Sequence, residues 1–111
     1  MEFVELPAFT SRRKAILSDS EYKVLLQTLS EDPQVGQVMR GMAGLRKMRF
    51  RDARNSIGTR GGLRVIYLLI EKQNVCVLYF VYRKSEKADL NPRDRAFFRE
   101  LTEQEIKQRR K

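Results

Sequence analysis

The spacing of apolar side chains divides this chain into helical and extended segments. The clearest helix is predicted to follow Ser18 to Glu21, a sequence with the form of a capping box, and to end before Pro33. Its apolar positions repeat at i, i+3, i+4 and i+7: Tyr22, Leu25, Leu26 and Leu29. A shorter helix is predicted over 8–17. A last helix is predicted to begin at Pro92, with Asn91 as its N-cap.

Alternating or continuous apolar runs predict strands over 3–6, 45–51, 64–70 and 75–82, with a hairpin at 71–74. Residues 33–44 form a connection, punctuated by glycines, that can hold a helical turn. We therefore expect a single α+β domain spanning residues 1–111, with element order β-α-α-β-β-β-α. Its small antiparallel sheet is expected to be a meander with the helices packed on one face.

The charges change this picture, because the formal net charge is +9 and the cations are clustered. Strand alternation places Lys47, Arg49 and Arg51 on one face of their strand. Arg64 opens the next strand along the chain. The other cations near these strands are Arg46, Arg54, Arg60, Arg83, Lys84 and Lys87. Cations at this density repel one another unless a polyanion lies among them, and a nucleic-acid backbone is the natural candidate.

The composition also excludes several kinds of site. The chain has no histidine, which removes Ser-His and Cys-His nucleophilic sites, His-ligated metals and the histidine pair of a metal-free ribonuclease. Its one cysteine, Cys76, cannot form an internal disulfide and lies in an apolar strand. The N-terminus does not have the form of a signal peptide, and no apolar run reaches membrane-spanning length. We expect a cytoplasmic protein with no cofactor and no membrane contact.

RNA cleavage by the RNA's own 2′-hydroxyl is possible without histidine. Arginine forks match the phosphate oxygens, and a lysine crowded by cations, Lys47 or Lys84, is a candidate for proton transfer. Tyr67, Tyr79 and Tyr82 offer phenol groups or stacking surfaces for bases. Each residue also has a simpler interpretation. The strand cations can form a solvated face, Arg64 can pair with a buried carboxylate, and the tyrosines can be core residues.

Three blocks of the sequence, at 44–49, 60–67 and 82–90, resemble the RelE/HigB family of type II toxins, most closely its HigB-like branch. The resemblance covers nearly the whole chain. It implies a RelE-like fold and a metal-independent endoribonuclease, an mRNA interferase that cuts the codon in the ribosomal A site and so inhibits translation. It also implies contacts with 16S rRNA and a cognate antitoxin, in this branch often a helix-turn-helix HigA-like protein, through which alone operator DNA is bound.

The resemblance carries over residue by residue. Lys47 and Arg49 match the family's basic pair on the second strand, and Arg64 matches the arginine that holds the scissile phosphate. Lys84 falls where RelE has an arginine near the leaving group. The sequence departs from RelE near Leu90, where the catalytic tyrosine of that family falls. Lys84, Lys87 or Tyr82 then has to take over its proton transfer, or activity depends more on groups of the ribosome.

Our predicted site is therefore divided into two sets. The catalytic set is Lys47, Arg49, Arg64 and Lys84. The RNA-binding set is Arg46, Arg51, Arg54, Arg60, Tyr82, Arg83 and Lys87. Two hypotheses compete with the toxin. One is a non-catalytic basic module of the same fold that binds RNA or DNA, and the other is a cationic face that recruits an acidic protein.

Overall fold

A computed structural model describes residues 1–52, 62–87 and 90–109 of the chain. Its elements are β1 (Glu2–Glu5), α1 (Pro7–Ile16), α2 (Asp19–Glu31), β2 (Gln37–Val38), β3 (Arg46–Phe50), β4 (Leu63–Ile70), a 3-10 helix (Glu71–Gln73), β5 (Val75–Arg83) and α3 (Pro92–Arg109). The strands form one five-stranded sheet with the order β1-β5-β4-β3-β2. The α+β class and the predicted order of helices and long strands are confirmed.

The helix starts are also where the sequence predicts them. In the capping box before α2, the Glu21 amide donates to the Ser18 hydroxyl at 3.1 Å, and the Ser18 amide donates to the Glu21 carboxylate at 2.8 Å. At α3 the Asp94 amide donates to the Asn91 side chain at 2.8 Å. These bonds satisfy amides that the first helical turn leaves without an intrahelical acceptor.

The sheet is mixed, which corrects the prediction of a purely antiparallel meander. Strands β3, β4 and β5 form the predicted antiparallel run, but β1 lies parallel to β5, with Glu2 opposite Val75 and Glu5 opposite Leu78. The side chains of β1 explain this position. Phe3 packs against the core on one face of the sheet and Val4 against the core on the other, so β1 buries both by lying beside the longest apolar strand.

The helices cover both faces of the sheet, and the prediction that they pack on one face is wrong. Apolar residues of α1 and α2, such as Phe9 and Leu25, share a cluster with Val65 and Leu78. Phe98 of α3 belongs to a second cluster on the opposite face. The central strands β4 and β5 are buried along nearly their whole length. A strand that is apolar on both faces needs a layer on each side.

A β-bulge directs two aromatic residues toward α3. Ile66 pairs with Phe80, whereas Tyr67 pairs with Leu78, so Tyr79 is an extra residue in β5. The rings of Tyr79 and Phe80 both contact Phe98, with centroid distances of 5.9 and 5.7 Å. The bulge therefore anchors the first half of α3 to the sheet.

The connection between α2 and β3 contains β2 and not a helical turn. Its path depends on Gly36, whose amide donates to the buried Tyr67 hydroxyl at 2.9 Å. A Cβ at this position would lie 2.8 Å from a carbon of the Tyr67 ring, so only glycine allows this approach. The contact holds β2 against β3 at the edge of the sheet, next to the groove described below.

Candidate functional site

A groove of about 620 Å³ opens at the β2–β3 side of the sheet. It is lined by Val35, Gln37, Lys47, Met48, Arg49, Arg64 and Lys84. All four residues of the predicted catalytic set are in this group, although they come from β3, β4 and the turn after β5. None of the described lining residues is acidic. The groove is therefore shaped and charged to receive an anion.

The strand register places two of these cations directly beside each other. Arg49 of β3 is opposite Arg64 of β4, and Lys47 is opposite Ile66 on the same side of the sheet. Like charges directly opposite each other destabilise an antiparallel pair. The two guanidinium groups therefore make this part of the groove strongly cationic, which suits an anionic ligand.

Arg64 and Lys84 differ in how they are held. Arg64 is only 6% exposed, and one guanidinium nitrogen donates to the Leu63 carbonyl at 3.1 Å. The Lys84 side chain is exposed, whereas its amide donates to the Gly62 carbonyl at 3.0 Å. Arg64 is therefore a buried donor within the sheet, whereas Lys84 presents an exposed side chain on a hydrogen-bonded backbone.

Similar solved structures identify the fold of the chain that carries this groove. No family model matches the sequence. A free-state double arginine-to-alanine mutant of the E. coli toxin RelE has a TM-score of 0.54 and 19% identity, over 78% of this chain and 86% of that one. The chain has the RelE fold.

Two further E. coli structures agree with this assignment. RelE in the intact RelBE toxin–antitoxin complex gives a TM-score of 0.54 and 18% identity, covering 74% of this chain and 94% of that one. The isolated RelE toxin in its P21 form gives 0.53 and 18%, covering 74% and 82%. The predicted RelE-like fold is thus confirmed. The HigB-like branch remains a prediction.

Within this RelE fold, two cations of the predicted RNA-binding set on and beside β3 lie outside the groove. Arg46 extends to the opposite side of the sheet, where it donates to the Gly36 carbonyl at 2.8 Å and the Gln34 carbonyl at 3.5 Å. Arg51 is exposed just beyond the end of β3 and does not line the groove. Arg46 therefore stabilises the connection that leads into β2. Strand alternation alone does not reveal this structural role.

Two other cations of that set are engaged with acidic side chains. Arg83 donates from Nε to the Asp52 carboxylate at 3.3 Å, and the Asp52 side chain is only 2% exposed. Lys87 forms an ion pair with Asp94 at the start of α3. Arg54 and Arg60, the remaining cations of the set, lie outside the described residues.

The three candidate tyrosines are buried, so a base cannot stack on them in this structure. Tyr82 is 1% exposed and packs against Phe80, with a centroid distance of 5.8 Å. Burial raises the pKa of Tyr67 and Tyr79 above the ordinary value of 10.0. Tyr67 donates to the Pro33 carbonyl at 2.7 Å, and Tyr79 accepts from Thr102 at 3.0 Å. The interpretation as core residues therefore holds for all three, which corrects the placement of Tyr82 in the RNA-binding set.

Leu90 and Cys76 are also parts of the core. Leu90 is 6% exposed and packs in the cluster that includes Phe98. Burial raises the pKa of the Cys76 thiol to about 12, so this thiol stays protonated and unreactive. Among the described residues, no group of three or more acidic or cysteine side chains is arranged to hold a metal ion. In the same part of the chain, no helix is long and apolar enough to span a bilayer.

The sequence analysis missed several residues around the groove. Val35 and Gln37 line it, but they occur in a connection without apolar periodicity that would have indicated a strand. Asp52 is the one acidic residue between Arg46 and Arg64 in the sequence, and that isolation is the available signal for its buried pairing with Arg83. For Glu86 the sequence allows a cap or a salt bridge, and the structure identifies Arg12 of α1 as the partner of that salt bridge.

Proposed function

We propose that this protein is the toxin of a type II toxin–antitoxin system and belongs to the HigB-like branch. In this proposal it is a metal-independent endoribonuclease that enters the ribosomal A site and cleaves the mRNA codon there. The observation that carries the proposal is the groove, where four cations from three elements converge on a RelE fold without a described acidic lining residue. The three sequence blocks that resemble the family contribute those same cations.

The proposed reaction is an internal transfer of the phosphodiester. The 2′-oxygen of the RNA attacks the adjacent phosphorus, and the bond from phosphorus to the 5′-oxygen breaks. The 2′-hydroxyl proton passes to a base, and another proton passes to the departing 5′-oxygen. The products are a 2′,3′-cyclic phosphate, or its hydrolysed form, and a 5′-hydroxyl. The reaction balances without an oxidant, a reductant or a metal ion.

The cations of the groove support a proposal for the electrostatic part of this reaction. Arg64 and Arg49, opposite each other in the register, are positioned to share the non-bridging oxygens of one phosphate. Their guanidinium groups would stabilise the additional negative charge of the pentavalent transition state. Lys47 adds a third cation on the same side of the sheet. Side-chain burial favours Arg64 as the principal phosphate ligand.

Lys84 is the best candidate for proton transfer at the leaving group. The sequence left three residues to replace the tyrosine that is absent at Leu90. Of these, Tyr82 is buried and Lys87 is paired with Asp94, whereas the exposed Lys84 side chain lines the groove. Only Lys84 of the three is both close to the cationic cluster and accessible to RNA.

The proposed partners follow from the charge and from the similar structures. The RelE in one similar structure is bound to its antitoxin. We extend this to a cognate antitoxin for the present chain, of the helix-turn-helix HigA-like kind, through which the pair would reach operator DNA. The net charge of +9 suits contacts with mRNA and 16S rRNA in the cytoplasm.

The decisive experiment is primer extension on mRNA held in programmed ribosomes. It compares the wild-type protein with Arg64→Ala, and it includes naked mRNA. We expect a new 5′ end inside the A-site codon with ribosomes only, and none with the variant. Circular dichroism should show that the variant folds.

Three other outcomes would contradict the proposal. Cleavage of naked mRNA would indicate a free-standing ribonuclease. RNA binding without cleavage, weakening as salt rises, would support the non-catalytic binding module. Binding to an acidic protein that survives nuclease treatment, with negligible RNA affinity, would support the recruiting surface.

A further inference from the structure

The turn that carries Lys84 is held from outside by a residue of α1. Strand β1 accompanies β5 only as far as Leu78, so the outer edge of β5 beyond that residue lacks a neighbouring strand among the described residues. Arg12 of α1 reaches this edge, where its Nε donates to the Val81 carbonyl at 3.3 Å. This side chain thereby satisfies a carbonyl that a neighbouring strand would otherwise bind.

The same guanidinium continues to the turn itself. Another nitrogen of Arg12 forms an ion pair with Glu86, and the Glu86 carboxylate also accepts from the Arg83 amide at 3.0 Å. The turn is closed by two backbone bonds to the Arg83 carbonyl, from the amides of Glu86 at 3.1 Å and Lys87 at 3.2 Å. Glu86 therefore joins α1 to Arg83, the residue immediately before Lys84.

The far end of the turn is attached to α3. Lys87 pairs with Asp94, and its ammonium lies 5.7 Å from the centroid of the Phe80 ring. The Arg12 guanidinium lies 5.6 Å from the centroid of the same ring. The backbone on both sides of Lys84 is thus tied to helices on opposite faces of the sheet, while its side chain remains exposed in the groove.

We propose that Arg12 and Glu86 are positioning residues, which hold the 83–87 turn so that the Lys84 ammonium reaches the leaving oxygen of the scissile phosphate. This inference rests on the proposed endoribonuclease activity and adds two residues that do not line the groove. A flexible lysine gains most from a fixed backbone, because proton transfer requires the two heavy atoms within hydrogen-bond distance. Neither residue is expected to contact RNA.

The test separates the cleavage step from RNA binding. Single-turnover cleavage on programmed ribosomes is measured at saturating protein for the wild type, Arg12→Ala, Glu86→Gln and the double variant, with ribosome affinity measured separately. We expect each single variant to cleave about 10-fold to 100-fold more slowly at saturation, since small misplacements of catalytic groups have effects of this order. Affinity should change by less than about twofold, because neither side chain is expected to contact a phosphate.

The controls distinguish positioning from general effects of charge or stability. Lys14→Ala removes an exposed cation from the same helix and should leave both measurements unchanged. The double variant should be no slower than the slower single variant, because both substitutions break one connection. Arg12→Lys keeps the ion pair and should recover part of the rate. Amide hydrogen exchange over 83–87 should accelerate in Arg12→Ala but not in Lys14→Ala.

Failure of this inference is distinguishable from failure of the proposed function. If the wild type does not cleave, the proposed function is wrong. If the wild type cleaves and Arg12→Ala cleaves equally fast at saturation, the positioning role is wrong. A loss that appears in affinity and not in the saturated rate would also overturn it, as would additive effects in the double variant.

Discussion

At the scale of single residues, the groove shows how the same side-chain type serves different purposes. Arg49 and Arg64 lie opposite each other and line the groove, Arg46 bonds to backbone carbonyls on the other side of the sheet, and Arg83 pairs with buried Asp52. The sequence presents all four as cations on or beside strands. The surroundings distinguish Arg49 and Arg64, which are positioned for an anion, from Arg46 and Arg83, which stabilise the fold.

The first prediction concerns the shape of the Arg64 side chain. Arg64→Lys keeps the positive charge but loses the planar fork that binds two phosphate oxygens. We expect cleavage on ribosomes to fall about 10-fold to 100-fold, in line with the loss of one preorganised donor at a transition state. The melting temperature should stay near that of the wild type. Near-normal cleavage would show that charge alone is sufficient and that Arg64 is only a binding residue.

A second prediction concerns the pair of Asp52 with Arg83. Asp52→Ala removes the partner of a cation whose side chain is 28% exposed, so we expect a loss of about 2 kcal/mol in the free energy of unfolding. Urea denaturation measures it. Asp19→Ala is the matched control, because that carboxylate is 93% exposed and lies 3.5 Å from Arg13. It should cost less than about 0.5 kcal/mol. Equal effects of the two substitutions would contradict the structural role of Asp52.

At the scale of elements, the site is assembled where strands end and turns begin. β3 supplies Lys47 and Arg49, β4 begins with Leu63 and Arg64, and the turn after β5 supplies Lys84. The hydrogen bond from the Lys84 amide to the Gly62 carbonyl closes the sheet at this end. We therefore expect the charged side chains of the turn after β5 to contribute to the stability of that turn.

A third prediction uses the carboxylate in that turn. The hydrogen bond from the Arg83 amide, followed by the charge of Arg12, lowers the pKa of Glu86 below its ordinary value of 4.5. A lowered folded-state pKa means that Glu86 stabilises the fold above its unfolded-state pKa. This contribution is lost as the pH falls through the folded-state value.

The measurement is the difference in stability between the wild type and Glu86→Gln across pH. At pH 7 the wild type should be the more stable protein, and the difference should shrink steadily below pH 4.5. Urea denaturation at a series of pH values provides the comparison, and other carboxylates cancel because both proteins carry them. A difference that does not depend on pH would show that the Glu86 charge does not stabilise the turn.

At the scale of the whole molecule, the net charge of +9 favours association with polyanions, and the groove is where we propose that one binds. Long-range attraction of this kind raises association rates and depends on salt. Within the described residues, several cations are engaged by acids, such as Arg83 by Asp52 and Arg12 by Glu86. Part of the cationic charge is therefore paired within the protein and is less available to a polyanion.

The fourth prediction is the salt dependence of binding to a single-stranded RNA oligonucleotide. Each phosphate contact contributes about −0.7 to the slope of log K against log salt. Arg49→Ala should therefore make the slope shallower by about 0.7. Lys72→Ala, which removes an exposed cation from the 3-10 helix at the end of β4 opposite to Arg64, should leave the slope unchanged. Fluorescence anisotropy between low and moderate salt provides the slopes, and equal slopes for all three proteins would contradict phosphate binding by Arg49.

Local sequence determined a large part of this structure. The capping box at Ser18, the cap at Asn91 and the hairpin at 71–74 depend on neighbouring residues, and all three are present. Alternation along β3 likewise separated Lys47 and Arg49 from Met48 and Phe50 before any tertiary contact was known. These features could be predicted because short-range sterics and hydrogen bonding decide them.

Only the tertiary structure decided the remaining features, because they depend on contacts between residues that are distant in the chain. The parallel placement of β1 and the position of α3 on the second face follow from which surfaces needed cover, and the carbonyl partners of Arg46 come from the connection before β2. The same holds at the groove. The sequence showed a set of cations, whereas long-range register placed Arg64 opposite Arg49 and Lys84 beside both, and burial removed Tyr82 from the candidates.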